Sequence, residues 1–217
     1  MKSGAGVKTI LLFLATSIVF AAGPDGPSTS PRLRFSKSFP GSLPAWEEIV
    51  VDKNGAGQYK DDPKDEDPLK FQLTRDEAGQ MFGLADKMDH FAHPLETHLK
   101  VANMGMKTFR YEADGANPSE VKFNYTEDLD GKALADWFER IADTERGLIQ
   151  LETAVKFDKL GAQDAILKIE IIWNQKRLVG PEQFLPMLDR VAKNESFLHI
   201  SRERAAALAD SIRGLPR

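Results

Sequence analysis

Three of the chain's four histidines fall within nine residues, HFAHPLETH at positions 90–98, with Glu96 among them. Imidazole and carboxylate are zinc ligands. A catalytic zinc site takes three such ligands and keeps one position open for water or substrate. If a helix runs through the segment, His90 and His93 share a face one turn apart, Asp86 and Asp89 lie on nearby turns, and His98 folds back from beyond Pro94. The spacing departs from the known zinc-protease signatures. In H-E-x-x-H the acid follows the first histidine and the second lies at i+4, whereas here Phe91 takes the acid's place and the second histidine is at i+3. The inverted form H-x-x-E-H fails by one residue, because Thr97 separates Glu96 from His98. The segment therefore reads as a helix end whose imidazoles favour the dipole and the last carbonyls. The alternative is a metal-dependent hydrolase in which His90, His93 and His98 hold zinc.

Other chemistry-bearing patterns are weaker. Ser119-Glu-Val-Lys122 matches S-x-x-K, but in an alternating stretch that sends the two side chains to opposite faces of a strand. No G-x-S-x-G occurs, and Gly55-Ala-Gly57 reads as a hairpin turn rather than a phosphate loop. The acidic run DDPKDEDP, residues 61–68, lacks the central glycine and the ligand alternation of a calcium loop. Glu47 and Glu48 are adjacent on an expected strand and face opposite ways. Asp136, Glu139 and Asp143 line one stripe of an expected helix, with Arg140 spaced to pair with Asp136. None of these makes a catalytic set, and none implies a cofactor, so the sequence leans away from an enzyme.

The elements that carry these residues follow from periodicity. Arg32–Phe39, Trp46–Asp52, Ala56–Lys60 and Leu69–Leu73 read as strands. Asn54-Gly55 predicts a tight turn with positive φ at both central residues. Thr74 and Glu77 form a capping box opening a helix that Pro94 stops at or before His93. Lys107–Ala113 and Glu120–Thr126 alternate as a second hairpin. From about residue 131 the period is helical, with helices at 131–157, 162–177, 181–193 and 197–213, the third shortened or bent by Pro186. Trp137, Phe138, Phe157, Ile171, Ile172, Trp173, Phe184, Leu188, Phe197 and Leu198 supply the expected helical core. The basic end, with Arg202, Arg204, Arg213 and Arg217, reads as a packed terminal helix.

Strands first and helices after predict an α+β fold. A small antiparallel sheet, two hairpins plus short strands, carries one helix, and a C-terminal bundle of three or four helices follows. The expected divisions are a signal peptide at 1–21, a flexible Pro/Gly/Ser-rich tether at 22–31, a β-rich region at 32–126 and a helical region at 127–217 packed on the sheet as one domain.

The signal-peptide reading rests on Lys2 and Lys8, the 11-residue apolar run Ile10–Phe20, and Val19 and Ala21 at the −3 and −1 positions of a cleavage site. The run is short for a bilayer span. Cysteine is absent, which excludes disulfides and thiolate chemistry and fits a bacterial envelope better than a eukaryotic secretory route. Without Lys2 and Lys8 the balance is 27 basic against 33 acidic residues, a poor match for nucleic acid. Residues 39–59, FPGSLPAWEEIVVDKNGAGQY, resemble a small uncharacterised module of exported bacterial proteins. In that module a Gly-x-x-Pro-aromatic turn precedes a strand, a hairpin and an aromatic. Gly41, Pro44, Trp46, Gly55 and Tyr59 occupy these positions here, and the cysteine pair that the module often carries around the turn is missing. The resemblance implies a β-rich start and no activity. The expected protein is an exported binding or interaction module, periplasmic or extracellular, whose partner is an envelope protein or a small ligand. It needs neither nucleic acid nor an integral membrane segment after cleavage.

Overall fold

The computed structural model describes residues 30–214, so the expected signal segment and most of the expected tether lie outside the described residues. Six strands form one antiparallel sheet: β1 (Arg32–Ser38), β2 (Trp46–Asp52), β3 (Ala56–Lys60), β4 (Leu69–Gln72), β5 (Met106–Glu112) and β6 (Ser119–Phe123). The spatial order is β4-β3-β2-β1-β5-β6. The chain meanders outward from β1 to β4, and helix α1 (Arg75–Lys87) carries it back so that β5 pairs with the free side of β1. Helices α2 (Leu129–Phe157), α3 (Ala162–Asn174), α4 (Leu185–Lys193) and α5 (His199–Arg213) follow, with a short 3-10 turn at Pro181–Phe184. The fold is α+β, as the order of patterns predicts. Among the described residues no helix is long and apolar enough to cross a membrane.

Alternation sets the faces of the sheet. Leu33, Phe35, Ile49, Val51, Phe109 and Val121 point inward and are buried, while Arg34, Glu48, Arg110, Glu112 and Glu120 point outward. On the wet face the charges pair across strands, Arg34 with Glu48 at 2.9 Å and Arg32 with Glu112 at 3.1 Å. The β2–β3 hairpin differs from the expected turn. Only Gly55 has positive φ, 87°, and Asp52 Oδ1 accepts from the amides of Asn54 and Ala56. One left-handed residue after an ordinary turn closes this three-residue loop, so Asn54 keeps a negative φ. Gly57 is required for packing, because a Cβ there would lie 2.2 Å from the Phe71 ring.

Two apolar cores result. One lies between the sheet, α1 and the first half of α2, where Leu134, Phe138, Ile141 and Ala142 meet Phe35, Phe82 and Phe109. The other gathers Leu148, Leu151 and Val155 of α2 with Ile166, Phe184, Leu188, Phe197, Leu208 and Ile212. The passage between them falls inside α2, whose 29 residues span about 43 Å at 1.5 Å per residue. The helical core differs from the expected set. Phe157, Ile171 and Leu198 are exposed, Phe157 by 83%. Phe157 lies two residues past the buried Val155, about 200° round the helix, so it faces solvent. Pro186 occupies the first turn of α4, where the missing N–H has no intrahelical partner to lose, and the stretch before it is 3-10. Arg204 pairs with Glu170 and Arg213 with Asp189, so α5 is a packed terminal helix.

Candidate functional site

The histidine segment does not continue α1. The helix opens on the capping box of Thr74 and Glu77 but ends at Lys87, six residues short of His93. Asp89, His90 and Phe91 then take positive φ values of 48°, 51° and 71°. A left-handed turn costs about 1–2 kcal/mol per residue for side chains bearing a Cβ. The compensation is visible. The turn drives Phe91 into the sheet core, 4% exposed and 5.3 Å from the Phe109 ring, and Ser119 Oγ donates to the His90 carbonyl.

This turn separates the imidazoles that a continuous helix would have aligned. His90 packs on Tyr111, ring centroids 4.0 Å apart, and its Nε2 lies 2.8 Å from Asp86 Oδ1. His93 and His98 are exposed and line a different feature, an open pocket of about 300 Å³ with Glu96, Glu127 and Asp128. The acids there already serve the backbone and loop: Glu96 accepts from the Asn124 amide, Glu127 from Thr97 Oγ1, and Asp128 from the Gly131 amide as the N-cap of α2. Among the described residues no group of three or more His, Asp or Glu side chains is placed to hold a metal ion. Ser119 and Lys122 lie on opposite faces of β6, and Lys122 pairs with Glu120 at 3.2 Å. Asp136 pairs with Arg177 at 2.6 Å and not with Arg140, whose guanidinium sits over the Trp137 ring at 4.3 Å.

The charged site that the structure does assemble is a row across the inner face of the sheet. Glu47, Lys37 and Lys107 are cross-strand partners on β2, β1 and β5. They share the inward parity of Ile49, Phe35 and Phe109, one row away. Glu47 is 4% exposed and Lys107 6%. Burying charges on a core face is costly unless partners take up the loss, and α2 brings those partners. Arg146 reaches Glu47 Oε2 at 2.7 Å and Asp143 Oδ1 at 2.6 Å, and Glu139 lies 3.9 Å from Lys37 Nζ. Lys107 Nζ donates to the Asn124 carbonyl at 3.1 Å.

Compensation is incomplete. Burial raises the Glu47 carboxyl above its usual range, against the lowering effect of Arg146. Burial, and then the neighbouring Lys37, lowers the Lys107 ammonium. The Tyr59 hydroxyl is buried near the same Glu47–Arg146 pair and closes no hydrogen bond among the described residues, and burial raises it well above an ordinary phenol. A cavity of about 240 Å³ opens onto this row, bounded by Lys37, Glu47 and Arg146 on one side and by the β1–β2 turn on the other. The turn is firm: Ser42 Oγ lies 2.7 Å from the Phe39 carbonyl and 2.6 Å from that of Pro44.

Reading the sequence for motifs misses this row, because its members are 10 and 60 residues apart and belong to no signature. The signal that finds it is parity. In Leu33-x-Phe35-x-Lys37, Glu47-x-Ile49-x-Val51 and Lys107-x-Phe109-x-Tyr111 the charge falls in step with the apolar residues. No family model matches this chain, and neither the curated proteins nor the solved structures give a match.

Proposed function

We propose that this chain is an exported binding module of the bacterial cell envelope, non-enzymatic, which takes a small ligand in the cavity over the Glu47–Lys37–Lys107 row. The observation that carries the binding half is the row itself. Three charged side chains occupy positions that the sheet otherwise gives to apolar residues, and two of them, Glu47 and Lys37, keep open hydrogen-bonding capacity beside a cavity. A fold retains such a row at a cost in stability, and ligand recognition is the common reason for keeping polar groups in a pocket wall. The cavity is smaller than pockets for drug-sized molecules, which run about 300–1,000 Å³. That size favours a ligand of a few non-hydrogen atoms over a peptide or polymer.

Export rests on the N-terminal segment. Lys2 and Lys8 precede the apolar run Ile10–Phe20, and Val19 and Ala21 suit a cleavage site. Given export, a cysteine-free composition fits a bacterial envelope better than a eukaryotic secretory route. The test is expression of the full chain in a Gram-negative host, followed by fractionation and intact-mass analysis. Recovery from the periplasm with residue 22 as the first residue, within two positions, is the expected result. A full-length chain retained in the cytoplasm overturns export.

A further inference from the structure

Glu47 and Lys37 stand directly opposite each other on neighbouring strands, a position in which opposite charges normally pair. They do not. Glu47 turns one oxygen, Oε2, to Arg146, and its Oε1 accepts no hydrogen bond from the described residues. Lys37 turns away toward Glu139, whose oxygen at 3.9 Å is beyond hydrogen-bond reach, and its Nζ donates no hydrogen bond among the described residues. One open acceptor and one open donor of opposite charge, from directly opposed positions on neighbouring strands, therefore line one cavity.

The groups behind them reinforce the two poles. Lys107 lies beyond Lys37 in the same row and carries like charge, while Asp143 lies behind Arg146 on the side of Glu47 and adds negative charge there. The opposite wall is the β1–β2 turn, where Phe39, Ser42, Leu43 and Pro44 line the cavity. A ligand that completes this site brings a cationic donor to Glu47, an anionic acceptor to Lys37, and a separation between the two short enough for a cavity of about 240 Å³.

We propose that the cavity binds a small free α-amino acid as its zwitterion, with the ammonium on Glu47 Oε1 and the carboxylate on Lys37 Nζ. A single-ended ligand satisfies only one pole and leaves the other charge without a partner, so both ends contribute. This assignment rests on the binding-module reading and names its ligand class.

The test is isothermal titration of the purified chain, recovered from whichever compartment it occupies, with L-valine and L-alanine. Valine's two halves serve as controls: 3-methylbutanoate, which lacks the ammonium, and isobutylamine, which lacks the carboxylate. Expected are saturable heats with at least one amino acid and binding about tenfold or more weaker with either control, the loss that one charge-assisted hydrogen bond predicts. Lys37→Gln and Glu47→Gln should each weaken amino-acid binding by a similar factor. Lys37 is part-exposed and its ion pair long, so Lys37→Gln keeps the test decisive if Glu47→Gln fails to fold. No saturable heat with either amino acid at about a hundredfold excess over protein overturns the proposal. So does binding that Lys37→Gln leaves unchanged, or a control that binds as well as valine. A cytoplasmic chain that binds valine overturns export and leaves this site standing. An exported chain that ignores valine does the reverse.

Discussion

The two halves of this molecule solve burial differently. Between the sheet and α2, eight buried residues are Phe or Tyr, and five of them pack ring on ring: Phe35 lies parallel to Phe138 at 4.8 Å, and Phe109 touches Phe35, Phe91, Phe123 and Phe138. The helical half buries two aromatics, Phe184 and Phe197, among aliphatic side chains. Among the described residues the sheet half also buries Glu47 and Lys107, the helical core buries Ser201, and Thr144 and Glu145 of α2 lie buried between the two cores. A flat sheet face needs wide rings to fill the space beneath a crossing helix, and a helical bundle closes on Leu, Ile and Ala. The half that could have been wholly apolar at lower cost is the one that keeps charges, and the proposed ligand site lies there.

The largest effect should follow Phe35→Ala, at the centre of the stack. Deleting a buried ring costs about 3–5 kcal/mol, a large share of a domain's stability. Urea melts read by Trp46 and Trp137 in the sheet half and by Trp173 in the helical half test the coupling through α2. One shared transition is expected, and a sheet half that melts alone would break the single-unit picture. Next comes Arg146→Met, which strands Glu47 in the core and should cost about 3–5 kcal/mol, most of it recovered in the double variant Glu47→Leu, Arg146→Met. The matched change in the helical half, Arg204→Met against the more exposed Glu170, should cost about 1 kcal/mol or less. Equal costs would erase the contrast.

Glu145 sits at the seam between the halves, 1% exposed. Its Oε1 accepts from Gln183 Nε2 at 3.1 Å, and its Oε2 has no partner among the described residues. Burial pushes its carboxyl up to about 7, from an ordinary value of 4.5. Between those values the unfolded chain ionises while the native one stays protonated, so stability falls as pH rises, by on the order of 3 kcal/mol, and levels off above the native value. Urea midpoints of the parent protein should decline over that interval, and those of Glu145→Gln should decline less. A parallel decline in both would remove Glu145 as the cause. The smallest effect is expected at the histidines. Zinc added after chelation should leave the melting temperature unmoved, because the turn at Asp89–Phe91 separates His90 from His93 and His98. A rise equivalent to about 2.7 kcal/mol at a hundredfold excess over the dissociation constant, lost in the His90→Ala, His93→Ala double variant, would restore the metal-dependent hydrolase reading.

Local order was legible in the sequence. Strand alternation, the Thr74–Glu77 capping box and the helical period after residue 131 depend on residues close along the chain, and they placed the elements and the α+β order. Even the charged row was present as parity, but parity says only that Glu47, Lys37 and Lys107 share a face, not that their strands are neighbours. That adjacency depends on β5 returning beside β1, a pairing of residues about 70 apart that loop closure and packing decide, not spacing. The end of α1 was settled at the same level. Pro94 allowed a helix through His90, but a place for Phe91 in the aromatic core made a left-handed turn the lower-energy path, and that long-range contact took the histidines apart.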